Sequence, residues 1–254
     1  MRNVRLLEME KLISQSGTVS MTELCGHFNV SMNTVRRDVA ELRNRGEIEK
    51  VYGGVVSVDN VPKTLRPFEE RQQIAEEAKE SICRCAATLL ADGDTIFVDS
   101  GTTMVHLVDH LAAFSELTIV TNNLALVQRA IPHENLRVIV LPGQLRRKTN
   151  SLTGMETVRS LRQFNVKKAF LATTGTTAAG VTNSSPQEYE IKRCALECSQ
   201  VRVLMLCREK FGHAGLMTYG QFQDFDYVIT DRSPEGNYVA AVQQAGAKLL
   251  LAKE

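Results

Sequence analysis

The chain has 254 residues, 43% apolar and 23% charged, an ordinary composition for a folded protein and enough length for two domains with cores of their own. Its 30 basic and 29 acidic residues leave a net charge of +1, and residues 1–60 balance as well, at eight of each sign, so a nucleic-acid site has to come from local placement of charge. No run of about 18 apolar residues suggests a membrane span, and the first residues lack the apolar core of a signal peptide, so a cytoplasmic protein is expected.

Residues 2–15 place Leu6, Met9, Leu12 and Ile13 at helical spacing and end at Gly17. Ser20, with Glu23 three residues on, is a capping box that starts a second helix. Met21, Leu24, Cys25 and Phe28 form its inner face. It stops in FNVS, whose Ser31 is competent to cap a third helix. Two short helices joined by a tight turn are the helix-turn-helix pattern. On a wheel of about 100° per residue, Met32, Val35, Val39 and Leu42 make the apolar stripe of the third helix. Arg37 lies almost opposite, near Asn33, Ala40 and Asn44, with Thr34 and Arg36 on the flanks. Arg and Asn are the side chains that pair with guanine and adenine edges, and the first turns of a recognition helix do the reading. A solvated face is the alternative, but the helices before it and the hairpin after it favour DNA. In that hairpin, EIEKVYGGVVSV, Gly53-Gly54 stands between two β-prone runs. Three helices and a hairpin make a winged helix-turn-helix domain over residues 1–57.

Residues 58–68 (VDNVPKTLRPF) hold two prolines and no period and read as a junction. The expected linker is 58–73 and the second domain 74–254. From Phe68 a long charged helix is expected to run to about Leu90. Strands are expected at 94–99, 117–121, 136–141, 167–173, 201–206, 226–230 and 247–252, several with helices between them. Apolar strands alternating with helices mean an α/β domain, a parallel sheet covered on both faces.

Polar loops follow three of these strands. Asp99-Ser100-Gly101-Thr102-Thr103 opens a helix, and small hydroxyl residues around a glycine there suit an anion. Thr121-Asn122-Asn123 and Thr173-Thr174-Gly175 lie at corresponding ends, where open α/β sheets bind ligands. A phosphorylated or acidic ligand is expected. Gly175–Gly180 (GTTAAG) has the glycine spacing of a P-loop but lacks the following Lys-Ser/Thr, and no G-x-G-x-x-G follows a strand, so no nucleotide cofactor is expected. Cys194 and Cys198 are four apart, but no second close pair or histidine accompanies them. They and the other four cysteines read as reduced thiols, and no metal site is expected.

ELCGHFNVSMNTVRRD and GEIEKVYGGV together resemble the N-terminal domain of the DeoR family of bacterial repressors. The family signature is a serine, two variable residues, then Thr-[Ile/Val]-Arg-Arg-Asp-Leu. Ser31, Thr34, Val35, Arg36, Arg37 and Asp38 match it, with Val39 where leucine is usual. Tyr52-Gly53-Gly54 matches the aromatic-Gly-Gly wing. The resemblance covers nearly the whole chain. It implies a Rossmann-like α/β sensor domain with the fold of ribose-5-phosphate isomerase and the CoA-transferase-like group, and a phosphorylated sugar as inducer. Asp99, Ser100, Gly101, Thr102 and Thr103 match its phosphate loop and Thr121-Asn122 its Thr-Asn loop. GVTNSSPQEYEIKR matches the segment that carries a Glu and a Lys, here Glu188 and Lys192. Where relatives have Ala-Asp-x-Ser-Lys-Phe-Gly, Cys207-Arg208-Glu209-Lys210-Phe211-Gly212 keeps the lysine, Lys210, but not the aspartate or serine. Thr174 and Gly175 complete the expected ligand set. Ser20, Thr22, Ser31, Asn33, Thr34, Arg36, Arg37 and Tyr52 are the expected DNA set. LRRKTNSLTGME and KKAFLATTGTT are most similar to the family's repressors of myo-inositol catabolism, which implies an intermediate of inositol breakdown as the inducer.

The expected protein is a repressor that binds double-stranded operator DNA as a homo-oligomer, dimer or tetramer, and is released by a sugar phosphate. The ligand must favour a state with weaker DNA affinity. The alternative is a sugar-phosphate isomerase or deaminase with an accessory DNA-binding domain. Asp99, Glu188 and Lys210 would be its acid–base candidates, but no motif fixes their geometry. A helix-turn-helix used only for protein contact is a third reading, and would show no salt-dependent DNA binding.

Overall fold

The structure, a computed structural model, describes residues 2–16, 18–45, 47–51, 54–57 and 66–252. The chain divides into two units, Met1–Thr64 and Leu65–Glu254.

In the first unit, helix α1 (Arg2–Ser16) is followed by strand β1 (Thr18–Val19), helices α2 (Met21–Phe28) and α3 (Met32–Asn44), and strands β2 (Ile48–Val51) and β3 (Gly54–Ser57). Local chemistry sets the helix ends. The Ser20 hydroxyl accepts from the Glu23 amide at 3.1 Å, and the Glu23 carboxylate accepts from the Ser20 amide at 2.7 Å, the reciprocal capping box expected. Asn29 ends α2 in the left-handed region at φ 48°, where its amide bonds back to the Cys25 and Gly26 carbonyls. Ser31 then caps α3 by accepting from the Thr34 amide. Val35, Val39 and Leu42 of α3 are buried against Leu6, Met9 and Ile13 of α1, Leu24 of α2, and Ile48 and Val55 of the strands.

The strands pair antiparallel in the order β1-β3-β2. The turn was expected at Gly53-Gly54, but Gly54 pairs with Val51 as the first residue of β3. Gly53 and Tyr52 lie outside the described residues. Gly54 is needed for a different reason than a turn: a Cβ there would stand 2.2 Å from the Val19 carbonyl oxygen of β1.

The second unit opens with α4 (Phe68–Gln73) and α5 (Glu76–Ala87), followed by β4 (Thr95–Val98), α6 (Thr102–Val105), β5 (Thr118–Thr121), α7 (Leu124–Ala130) and β6 (Arg137–Val140). Then come a hairpin of β7 (Gln144–Arg146) and β8 (Ser151–Thr153), α8 (Met155–Leu161), β9 (Val166–Ala172), β10 (Gly175–Thr177), β11 (Gly180–Asn183) and α9 (Pro186–Cys198). The unit ends with β12 (Ser199–Met205), β13 (Met217–Gly220), β14 (Tyr227–Thr230), α10 (Gly236–Gln244) and β15 (Lys248–Leu251).

The seven strands expected from sequence form one parallel sheet, in the order β15-β14-β12-β9-β4-β5-β6. Alternation along β9 sends Phe170 and Ala172 into one core with α5, α6 and α7, and Ala169 and Leu171 into the other with α8 and α9. The chain builds outward from β4 to β6, then returns to place β9 on the other side of β4. The β4/β9 boundary is thus the topological switch point, where such sheets form crevices.

Two expectations are corrected here. The long helix from Phe68 to about Leu90 is broken, because Ala75 adopts φ 52° between α4 and α5. Residues 68–73, assigned to the linker, fold as α4 within the second unit, since Phe68 is apolar and buried. A small antiparallel sheet, β10-β11-β13, was not expected. GTTAAG is its first hairpin, with Gly180 at φ 140°, and not a phosphate loop.

Replacing Gly54 by valine is expected to cost about 1–3 kcal/mol through overpacking against β1. Thermal unfolding of the full chain, followed by hydrogen exchange in residues 18–57, checks this. Unchanged protection there would mean that β1 can move aside.

Candidate functional site

On the outward face of α3, Asn33, Arg36, Arg37, Ala40 and Asn44 are exposed, and Thr34 is half-buried. Neither Arg36 nor Arg37 pairs with a carboxylate among the described residues. Their neighbour Asp38 points the other way: it is buried, and its Oδ2 accepts from Arg5 Nε of α1 at 2.7 Å. That bond, reinforced by the Asp38 charge, raises the Arg5 pKa. The arginines of the motif are presented outward while its aspartate fastens α3 to α1. Ser20 and Ser31 serve as helix caps, and Thr34 Oγ1 lies 3.0 Å from Ser31 Oγ, so these three also have structural partners. Thr22 is exposed in the first turn of α2.

The second unit has a small cleft at the β4/β9 switch point, open to solvent. Ser100, Gly101, Thr102, Thr174, Glu188, Lys192 and Lys210, seven of the expected ligand residues, line it together. The register explains why: Val98 of β4 sits level with Thr121 of β5 and Phe170 of β9, and Ala172 of β9 with Met205 of β12. The loops that follow these strands therefore emerge side by side.

Its floor is a buried ion pair between Asp99 and Lys192, which are 1% and 4% exposed. Asp99 Oδ2 also accepts from the Ala172 amide at 2.9 Å. Lys192 Nζ donates to the Ala172 carbonyl at 2.8 Å and lies 5.2 Å from the Tyr219 ring centroid. The Tyr219 hydroxyl donates to the same carbonyl at 2.9 Å. Ser100 Oγ donates to Glu188 Oε1 at 3.0 Å. Lys210 Nζ donates to the Thr173 carbonyl at 2.8 Å. Burial, opposed by the nearby Cys207 and helped by Arg71, Lys79 and Lys192, lowers the Lys210 pKa to about 8.

The remaining expected ligand residues support the cleft rather than line it. Asp99 orients Lys192. The Thr103 carbonyl accepts from the Cys83 thiol at 3.0 Å. Thr121 Oγ1 donates to the Val98 carbonyl at 2.6 Å, and Asn122 Nδ2 to the Leu152 carbonyl at 2.9 Å. The Gly175 carbonyl accepts from the Thr173 and Thr182 hydroxyls. Gly101 was expected to let the backbone approach a phosphate. Instead, its absent Cβ would stand 2.4 Å from Ala172 Cβ, so the glycine is required by strand packing. The helix-dipole expectation is also reduced: α6 has four residues and passes into a 3-10 turn, leaving a small dipole. Positive charge comes from side chains instead.

Sequence reasoning missed several of these side chains. Arg71 of α4 lines the cleft, as do Thr149, Asn183 and Ser184, together with Thr173 of the polar loop read from sequence. Lys79 of α5 joins Arg71 and Lys210 in an adjoining compartment with Cys207 and Glu209. Asn183 Oδ1 and Ser184 Oγ are buried without a hydrogen-bond partner among the described residues. Asn183 is fixed in orientation, because its Nδ2 donates to the Ser185 carbonyl at 2.7 Å. Asn123 Nδ2 clamps the 99–101 loop by donating to the Asp99 and Gly101 carbonyls. The Asn123 contact belonged to the polar loop read from sequence, whereas Arg71 and Lys79 sit on helices with no ligand signature. At the departure from the family pattern, Cys207 is buried between the two cores' edge and the lysines, and the Arg208 amide donates to Asp231 at 2.7 Å.

Cys194 and Cys198 have sulfurs 3.7 Å apart, and burial, then Cys198, pushes the Cys194 thiol up to about 12. Among the described residues no group of three or more His, Cys, Asp or Glu is placed to hold a metal. Nor is any described helix long and apolar enough to cross a membrane.

Residues 5–61 match the DeoR-like helix-turn-helix domain, and residues 74–232 the DeoR C terminal sensor domain. The chain belongs to the DeoR family. It is 40% identical to the HTH-type transcriptional regulator IolR of Bacillus subtilis, over 94% of each chain. It is 32% identical to the glycerol-3-phosphate regulon repressor of Escherichia coli, over 88% of each. Among solved structures, ribose 5-phosphate isomerase A of Methanocaldococcus jannaschii matches at 13% identity over 54% of each chain, with a TM-score of 0.39. As a DeoR-family member the chain is a DNA-binding transcriptional regulator with a sensor domain, not an enzyme.

Removing Asp99 would leave Lys192 buried and unpaired. Asp99→Ala is expected to destabilise the second unit by about 3–5 kcal/mol, and the double variant with Lys192→Met to recover much of that loss. Chemical denaturation of the single and double variants checks it. Additive losses would show that the pair is not coupled.

Proposed function

We propose that this regulator is a cytoplasmic repressor of a carbohydrate-catabolic operon, released from its operator by a phosphorylated sugar seated in the cleft of the second unit. The supporting observation is the concentration of Arg71, Lys192 and Lys210 on one small cleft in which only one lysine has a carboxylate partner. Asp99 and Glu188 offset two of these three charges, and a phosphate supplies negative charge for what remains. The orphan acceptor Asn183 Oδ1 calls for a donor, which a sugar hydroxyl has and a phosphate dianion lacks. Asp99, Thr103, Thr121, Asn122 and Gly175 act in this reading by holding the cleft's shape. The similarity to the regulator IolR supports a phosphorylated intermediate of myo-inositol breakdown as the inducer. A thermal-shift panel of hexose, pentose and inositol-derived phosphates tests the ligand class, because a ligand of the folded state raises its unfolding temperature. No shift with any phosphorylated sugar would sink the reading.

On the DNA side, α3 reads the major groove with Asn33 and Arg37, flanked by Ser31, Thr34 and Arg36, while Ser20, Thr22 and Tyr52 meet the DNA backbone. A dimer or tetramer presents paired recognition helices to a palindromic operator. Arg37→Ala is expected to weaken operator binding by about 1–3 kcal/mol and relax preference at one base pair. Arg36→Ala, on the flank, should weaken all sequences alike and reduce the salt slope by about one. Fluorescence anisotropy against operator and scrambled DNA over a salt series separates the two. Unaltered isotherms for both variants would remove α3 from the interface.

Lys210→Met is expected to weaken sugar-phosphate binding by about 10- to 150-fold, with operator affinity unchanged. The same lysine sets a pH limit. The groups facing it are Arg71, Lys79, Lys192, the Cys207 thiol and Glu209. Its ligand-free pKa is depressed to about 8, so at higher pH it is neutral and has to take up a proton to meet the phosphate. Affinity therefore falls, by up to about tenfold per pH unit, above that value. It also falls below about pH 6 as the phosphate loses its second charge. Calorimetric titrations across this range check both limbs. A flat profile between pH 7 and 9.5 would detach Lys210 from the ligand.

A further inference from the structure

Two of the cations on the cleft are tied to the sheet. Lys192 is held by Asp99 and the Ala172 carbonyl, Lys210 by the Thr173 carbonyl. Arg71 is held differently. It sits on α4, the first helix after the junction, and its guanidinium donates only to backbone carbonyls: Nε to Arg66 at 3.0 Å, and Nη2 to Lys148 at 3.3 Å. Among the described residues no carboxylate pairs with it. Burial lowers its pKa while the Glu188 charge opposes this, yet a guanidinium remains protonated. A half-buried cation thus faces the cleft near the Glu188 charge but, among the described residues, with no carboxylate bonded to it.

The helix that carries Arg71 is anchored at its start and at its end. Phe68 is buried, and Lys79 Nζ from α5 donates to the Arg71 and Gln72 carbonyls, closing the end of α4. Beyond α4 the backbone turns through Ala75 at φ 52° into α5. On the other side, the residue whose carbonyl Arg71 holds is Arg66, where the chain enters from the junction.

Building on the anion-site reading above, we propose that Arg71 takes the anionic group of the ligand, and that giving up its bond to Arg66 couples occupancy of the cleft to the segment leading to the DNA-binding unit. A phosphate accepts two parallel N–H groups from a guanidinium fork. Nε is one arm of that fork when the side-on edge is used, and it is the arm now spent on the Arg66 carbonyl. Binding exchanges that bond for one to phosphate, and residue 66 loses its hold. Lys192 and Lys210 add affinity, but their carbonyl partners are Ala172, the last residue of β9, and Thr173 just after it, which do not lead to the junction.

Inorganic phosphate is the probe, since every phosphorylated ligand shares it. Its affinity is measured on the full chain by calorimetry, and hydrogen exchange is followed in residues 66–73. In the wild type, saturating phosphate should change exchange in that segment. R71Q should bind phosphate about 10- to 100-fold more weakly. Once saturated through Lys192 and Lys210, it should show no change at 66–73. R71K keeps the charge and loses the fork, so it should recover part of the affinity without the exchange response, and it decides the matter if R71Q does not fold. Equal phosphate affinity in wild type and variants, or a full exchange response in a saturated variant, overturns the inference while leaving the anion site standing. A wild type that binds neither phosphate nor any phosphorylated sugar removes the anion site itself, and this inference with it.

Discussion

The second unit depends on one contact, the ion pair between Asp99 at the end of β4 and Lys192 on α9. Both groups have left water almost completely, and the attraction between two buried charges does not by itself offset that loss. What the pair does fix is position. Asp99 Oδ2 and Lys192 Nζ take the amide and the carbonyl of Ala172 respectively, so the end of β9 is held to β4 and to α9 at once. Tyr219 adds β13 through the same carbonyl. Four elements meet at the point where the sheet reverses its order of construction, and the cleft is the space left above them. A hydrophobic substitute could match the stability but not the directions.

Charge in the cleft follows from this arrangement. Asp99 is paired with Lys192, and Glu188 accepts from Ser100 but keeps its charge, while among the described residues Arg71, Lys79 and Lys210 bond to backbone carbonyls and not to a carboxylate. Carbonyl dipoles satisfy the N–H groups without cancelling the charge. Each cation then raises the cost of ionising the next, which is why the Lys210 ammonium is weakened by its neighbours as well as by burial. The glycine and hydroxyl loop at its edge is shaped by packing on Ala172 and by Asn123, and gives a rigid wall against which a ligand can be placed.

The sheet was legible in the sequence because each strand is an apolar run, and a strand buried on both faces has no polar phase to confuse the period. The helix-turn-helix was legible through its caps, where Ser20, Glu23 and Ser31 act locally, within three residues. Loops at strand ends were legible for the same reason of locality. What stayed hidden depends on distant partners. Gly54 and Gly101 look like turn and phosphate glycines, but the atoms that forbid a side chain belong to Val19 and Ala172. Arg71 looks like any charge on a polar helix, and α4 was read both as the start of one long helix and as part of the linker, because six residues with one apolar anchor mark no boundary of their own. The sheet β10-β11-β13 consists of short strands rich in threonine and glycine, with no long apolar run to announce it.

The same division between what is held and what is offered runs through the first unit. In the motif Thr34-Val35-Arg36-Arg37-Asp38, the valine and the aspartate face inward, one to the core and the other to Arg5. The two arginines between them are left without a carboxylate. Had Asp38 pointed outward it would have lain beside them on the helix surface and weakened their attraction for phosphate. Its burial against Arg5 removes that competition and fixes the rotation of α3 about its own axis, so that the apolar stripe and the ion pair agree on which face is outward. A regulator needs both properties: a reading face whose orientation does not drift, and, in the sensor unit, a charged group whose partner can change. Arg5–Asp38 is a pair of opposite charges already satisfied. Arg71, resting on carbonyls, is the kind of contact that a ligand can replace.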